Sequence, residues 1–375
     1  MPGRMTFGSE PMSGRLAAYS AGQPPRTASR AAMPDNVSPG RTAYLETGRA
    51  TVLGAAATLS VLAAPVERIP AGASAPEPGV NGMNLADGDR IKTGVGGIAL
   101  ITFLNGSTVT VMPGSEVTVK QTSSERATSG MRLFIHAGRV WARVVQAAGS
   151  RSVLTLESND YSATARDGLI GAERSAEGFV CWTRRGLMII TNRGGQSEGV
   201  LMAGQRVWAR QGWPLTPEPF VAGASTIEIE SSGPVVPLLR MPDGVVAAGF
   251  LAESVEVNQV FGSLSASRGK QRWTVEMPAG AEGVYTLILT GAGSGPFTAR
   301  VYARYAGFRI YRQELTGEIR PGERLVTRIN QQVKGDDPRT ARVVGGSVEG
   351  LRAWDGDEPA AVVTAPGSRR VPGVN

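Results

Sequence analysis

The sequence predicts an all-β protein. Strand-length apolar runs sit between Gly, Pro and Asn signals, sustained helical periodicity is scarce, and Gly (49) and Pro (24) are abundant while aromatics make up only 6%. Period-two alternation with turn residues at short intervals reads as sandwich or barrel architecture. At 375 residues the chain can hold two domains plus tails.

Residues 1–50 are rich in Gly, Pro, Ser, Ala and Arg without apolar periodicity, and are expected to be disordered. An apolar run over residues 50–64 follows. It is too short for a spanning helix of about 20 residues, and it reads either as a signal-peptide h-region after Arg49 or, from Ala57 to Arg68, as the first strand of a domain. The strand reading is preferred because Thr58, Ser60, Val61 and Val66 suit a pleated element.

A first folded unit is expected over 57–213, with strands at 57–68, 97–104, 107–112, 115–121, 131–136, 139–146, 151–157, 160–166, 178–184, 186–192 and 199–210. Val140, Ala142 and Val144 fall on one face of their strand, with Trp141, Arg143 and Val145 on the other. Asn105-Gly106 predicts a two-residue type I′ hairpin. Gly106, Gly114, Gly138, Gly168 and Gly186 are read as hairpin corners, so successive strands are expected to pair with their sequence neighbours.

Several motifs of this unit occur in a fixed order: Gly88-Asp89-Arg90-Ile91-Lys92-Thr93-Gly94, Asn105-Gly106-Ser107, Pro113-Gly114-Ser115, Leu133 through Gly138-Arg139-Val140-Trp141, and Ala203-Gly204-Gln205-Arg206-Val207. In order and spacing over about 150 residues they resemble the FecR domain, a bacterial envelope β module. The resemblance implies a β fold and an extracytoplasmic compartment. Two features depart from the family pattern. Gly168-Leu169-Ile170-Gly171-Ala172-Glu173 stands where the family has Gly-Thr and an aromatic, and the family's membrane-bound regulators carry a helical module and a membrane helix that are not read here. Signalling to a sigma factor is therefore the second reading.

Pro214, Pro217, Pro219 and Gly223 read as a linker over 214–224, and residues 225–334 as a second, smaller β-sandwich. Residues 225–230, 273–277 and 284–290 alternate cleanly. Residues 278–285 together with 291–297 are similar to small secreted Ig-like or prepeptidase-C-terminal-like modules. From Gly335 onward a disordered tail over 335–375 is expected, in which Asp355-Gly356-Asp357-Glu358 is a solvated acidic turn without EF-hand spacing.

Composition narrows the chemistry. One histidine and one cysteine cannot build a Cys/His zinc site or a disulfide framework. His136 is read as a strand-end histidine with no catalytic task, and Cys181 as a small core hydrophobe. Asp87 and Asp89 flank Gly88 and are read as turn-forming rather than as paired catalytic acids; Gly94-Val95-Gly96-Gly97 precedes a strand, not a phosphate-binding helix. The net charge of +7 is spread along the chain, which supports weak attraction to anionic surfaces and no specific nucleic-acid readout.

One candidate binding surface stands out. If Ala306-Gly307 turns a hairpin, Arg300, Tyr302 and Arg304 face Gln313, Tyr311 and Arg309, exposing tyrosines among guanidinium groups suited to sugars or anionic polymers. The sequence thus reads as a non-enzymatic protein without cofactor or metal, binding or scaffolding in the bacterial cell envelope. Its expected partners are a glycan, peptidoglycan or a protein, with peripheral association to the envelope or membrane. The alternatives are a sensor or regulator in a FecR-type sigma-factor pathway, and a hydrolase with two carboxylates facing across a cleft.

Overall fold

A computed structural model of the chain describes residues 57–122, 130–146, 152–194, 198–269, 271–335, 337 and 340–354. The described residues form strands and turns only, so the protein is all-β. Among them no helix is long and apolar enough to cross a membrane. The expectations for residues 1–50, for the start of the apolar run, and for Asp355 to Glu358 with the tail beyond lie outside the described residues. The described strands all fall in one compact unit.

The first part is a single 15-stranded sheet folded into two layers. Three long strands, Gly130–Val144, Tyr161–Ser175 and Gly178–Asn192, run through both. Residues 130–137 pair with Glu116–Thr122, whereas residues 140–143 pair with Thr108–Val111 in the other layer. Likewise residues 179–183 pair with Gln205–Ala209, and residues 187–191 with Glu198–Met202. Side chains pointing between the layers, among them Leu59, Ile101, Val117, Leu133, Val140, Leu156 and Cys181, form one dry core.

The corners correct the hairpin expectation. Gly138, Gly168 and Gly186 sit inside the long strands at φ of +83°, +119° and +86°. A Cβ on Gly168 would stand 2.0 Å from the Arg185 carbonyl oxygen, and one on Gly138 2.3 Å from Ser115 Oγ. Left-handed backbone without a side chain lets a strand bend against its neighbour without reversing. Sequence neighbours consequently do not always pair: Ala57–Ala63 lies between Met83–Leu85 and Ile98–Phe103, and Val153–Glu157 runs parallel to residues 130–134. At Asn105-Gly106 the loop has three residues. The Gly106 N–H donates to the Phe103 carbonyl, Phe103 N–H to Ser107, and Gly106 alone takes positive φ. That is a type I turn closed by a glycine bulge, not a type I′ turn. The expected strand at 57–68 is interrupted at Ala64-Pro65, where the Pro65 carbonyl accepts the Gly94 N–H; the strand at 199–210 is broken at Ala203-Gly204, and its two segments run in the same direction, both antiparallel to Gly178–Asn192.

The second part is a sandwich of two antiparallel sheets. One runs Leu264–Ser267, Arg272–Pro278, Ser225–Ser232, Gly295–Tyr305, Phe308–Ile319; the other runs Val255–Asn258, Ala247–Ala252, Val235–Arg240, Gly283–Gly291, Arg324–Lys334, Arg342–Val348. Ile227, Ile229, Val275, Tyr285, Leu287, Leu289 and Val301 meet between them. Arg342–Val348 corrects the disordered tail expected from 335. Buried Ala341 and Val343 pin it, and Gly346 admits the Tyr311 ring, 2.7 Å from where a Cβ would be. The 214–224 segment is no loose connector either, because Glu218–Pro219 pairs with Gln205 and Arg206 and Phe220 is buried.

Candidate ligand-binding surfaces

The outward face of one layer of the first part is covered by the second sandwich. The cross-strand row Arg206, Trp182, Gly171, Trp141 and Thr110 lies on one face of the sheet and points away from the first core. Gly171 leaves a gap between the two indoles: a Cβ there would lie 2.7 Å from the Trp141 ring. Phe261 of the second part meets both rings edge-on, with centroids 5.2 Å from Trp141 and 5.1 Å from Trp182. Charge closes the rim of the seam. Arg185 makes a bidentate pair with Glu256 at 2.8 and 2.9 Å and also donates to the Ser265 carbonyl; Arg143 approaches Glu256 at 3.5 Å, and Arg184 meets Glu276 at 2.7 Å.

The Arg/Tyr surface differs from its expected form. Near the Ala306-Gly307 turn Arg304 opposes Arg309, but a bulge between Ala303 and Arg304 then shifts the register by one. Tyr302 therefore faces Arg312 and Arg300 faces Glu314, while Tyr311 pairs with Ala303 and points to the opposite side. Half-buried against the second core, Tyr311 has its phenol pushed up to about 12 by burial. Tyr302 is itself buried, donates to Glu230 at 3.1 Å, and lies under Arg309 with the guanidinium 4.6 Å from its centroid. Burial is also the main cause that raises its phenol, with the Glu230 bond adding to it. Acids answer the other cations: Arg300 and Arg312 share Glu314, and Arg304 pairs with Glu228. The hydrogen bond from Arg300 holds the Glu314 carboxyl below its ordinary range. The expected cationic tyrosine stripe is thus an ion-pair-laced face, in which Arg309 has no ion pair among the described residues.

An open groove that sequence reasoning passed over lies beside the seam. In the strand Gln205–Ala209, Val207 and Ala209 enter the core while Arg206, Trp208 and, just beyond, Arg210 point outward. The Trp213 N–H then donates to the Arg210 carbonyl at 3.1 Å through a turn with Gly212 at φ +79°, which returns Trp213 over the strand. Arg206, Trp208, Arg210, Trp213, Pro214 and Glu218 line a volume of about 570 Å³. Trp213 is 66% exposed, and the Arg210 guanidinium lies 5.0 Å from the Trp208 ring centroid. Arg206 Nε and Glu218 Oε1 are 2.8 Å apart but out of line for a hydrogen bond, and Arg210 Nε is buried without a hydrogen-bond partner among the described residues. The alternation of Arg206, Trp208 and Arg210 was the available signal, hidden because Pro214 made the following residues look like linker.

The remaining sequence candidates have structural surroundings. Asp89 is buried and accepts the Ala71 and Ala86 N–H groups as well as the Arg68 guanidinium. Gly97 packs where a Cβ would stand 2.0 Å from the Pro65 oxygen. His136 Nε2 is 2.7 Å from Thr118 Oγ1, and burial holds its imidazole below the ordinary value. Cys181 is fully buried, which pushes its thiol up.

A model of the FecR protein family matches residues 89–187. The chain carries a FecR domain. Its matched stretch spans Asp89, the Asn105-Gly106 hairpin, all of Gly130–Val144 and Tyr161–Ser175, and the three glycine corners. Two crystal structures of a putative anti-sigma factor from Parabacteroides distasonis ATCC 8503 are similar to the chain at 12% and 10% identity, each with a TM-score of 0.29 over 35% of this chain. The chain spans 59% of the length of each. No curated protein matches it.

Proposed function

We propose that the chain is a non-catalytic recognition module of the bacterial cell envelope, in which the FecR domain and the second sandwich act as one body. The groove carrying Trp208 and Trp213 supports this reading. An indole exposed to 66%, beside an Arg210 guanidinium that stacks on Trp208 and has no ion pair among the described residues, is a surface for contact, with an apolar platform and a polar anchor side by side. An extracytoplasmic setting follows from the resemblance to FecR proteins. Incubation of the purified chain with isolated envelope fractions tests the reading. Retention of the native chain well above a basic control protein, lost in Trp213→Ala, is the expected result, and retention equal to the control overturns it.

The FecR domain itself favours a second reading, a sensor or regulator in a FecR-type sigma-factor pathway. In that case the recognition surface is the input side, and deletion of the gene changes expression from a promoter under a neighbouring sigma factor.

A further inference from the structure

We infer that the groove at Trp208 and Trp213 binds a saccharide that carries carboxylate groups, an inference that rests on the recognition reading above. The strand Gln205–Ala209 with Arg210 just beyond it sets Arg206, Trp208 and Arg210 on one outward face, and the Arg210–Trp213 turn brings a second indole alongside. A pyranose ring has one face of C–H groups, which stacks on an indole, and a rim of hydroxyls, which needs polar partners. Trp213 offers the larger free ring surface, and the groove of about 570 Å³ holds one or two sugar units.

Charge selects among sugars. Arg210 has no ion pair among the described residues, its guanidinium is stacked on Trp208, and its Nε is buried without a hydrogen-bond partner. A carboxylate is the group that fills such a planar fork in two-point fashion. Arg206 and Glu218 balance each other in charge at 2.8 Å, yet neither completes a hydrogen bond with the other. The two side chains are 39% and 42% exposed, so the outer nitrogens of Arg206 can donate to a sugar oxygen while the other Glu218 oxygen accepts from a hydroxyl. A neutral sugar leaves Arg210 unsatisfied, and a flexible polyanion without rings leaves Trp213 uncovered.

Titration of the full chain with alginate oligomers, followed by tryptophan fluorescence and calorimetry, tests the inference. Neutral cello-oligomers and polyglutamate serve as comparisons. Saturable alginate binding is expected, at least tenfold tighter than either comparison, and weakened about tenfold by Trp213→Ala and about fivefold by Arg210→Gln. Trp213 is exposed on a turn, so its truncation spares the core, and an unchanged unfolding midpoint verifies that. Absence of saturable alginate binding, or equal binding of polyglutamate, overturns the saccharide inference. If envelope retention still depends on Trp213 in that event, the recognition reading stands with another ligand class; if retention is also lost to the control level, both fall.

Discussion

Arg185 and Glu256, 71 residues apart, face each other across the seam with two nitrogens on two oxygens at 2.8 and 2.9 Å. The carboxylate also receives Asn258 Nδ2 at 2.6 Å and lies near Arg143, so one acid organises groups from both β parts. Its side chain is only 13% exposed, whereas that of Arg185 is 37% exposed, and solvent at the arginine tempers the pair.

Glu256→Ala should therefore destabilise the full chain by about 1–2 kcal/mol, since two guanidinium groups lose their acid in a partly dry seam. Urea unfolding measures the loss. A double-mutant cycle with Arg185→Ala should return a coupling of about 1 kcal/mol; additive single effects would contradict the pairing.

Gly171→Ala should cost about 1–3 kcal/mol, because the new methyl enters the space of the Trp141 ring and displaces the contact with Phe261. Near-UV circular dichroism should report the disturbed indoles. An unaltered spectrum and midpoint would mean that the seam does not depend on that gap.

His136 gives the protein a mild acid sensitivity. Burial, then Arg90 and Lys120, keep its folded pKa below the unfolded value of about 6.5, with Glu116 opposing them. Both states are neutral above that value, so the histidine adds nothing to the pH dependence there. As pH falls from the unfolded pKa through the lowered folded one, the unfolded chain takes up the proton first and stability drops. His136→Gln should flatten the urea midpoint between pH 7.5 and 5.5; an identical slope in the variant refutes the assignment.

Cys181 should resist thiol reagents in the native state, since its thiol is fully buried and burial disfavours the thiolate. Labelling with a disulfide-exchange reagent should proceed only at the rate of unfolding. Prompt reaction without denaturant would show that the strand Gly178–Asn192 opens locally.

Much of the fold was legible because alternation survives in the text: Val140, Ala142 and Val144 do face the core, and Ser225–Ser232 alternates residue by residue. What stayed hidden depended on non-local partners. Gly138 carries the same local signal whether the strand reverses or bends, and only the approach of Ser115 distinguishes the two. The Arg/Tyr register failed by one residue because a bulge leaves no mark in side-chain chemistry, and that single residue sent Tyr311 to the opposite face. Ala341 and Val343 sat among Gly and Arg, too sparse to announce a strand. For the groove, the outward trio of Arg206, Trp208 and Arg210 was visible, but the fold alone supplies the return of Trp213.

Three bent strands shared by both layers have a mechanical corollary. A sandwich built from separate sheets can shear, one leaf sliding over the other; here backbone crosses at Gly138, Gly168 and Gly186 and ties the leaves together. A push on the leaf that bears the second sandwich must then displace its twin in step, which makes this domain a stiff lever between whatever touches its two outer surfaces.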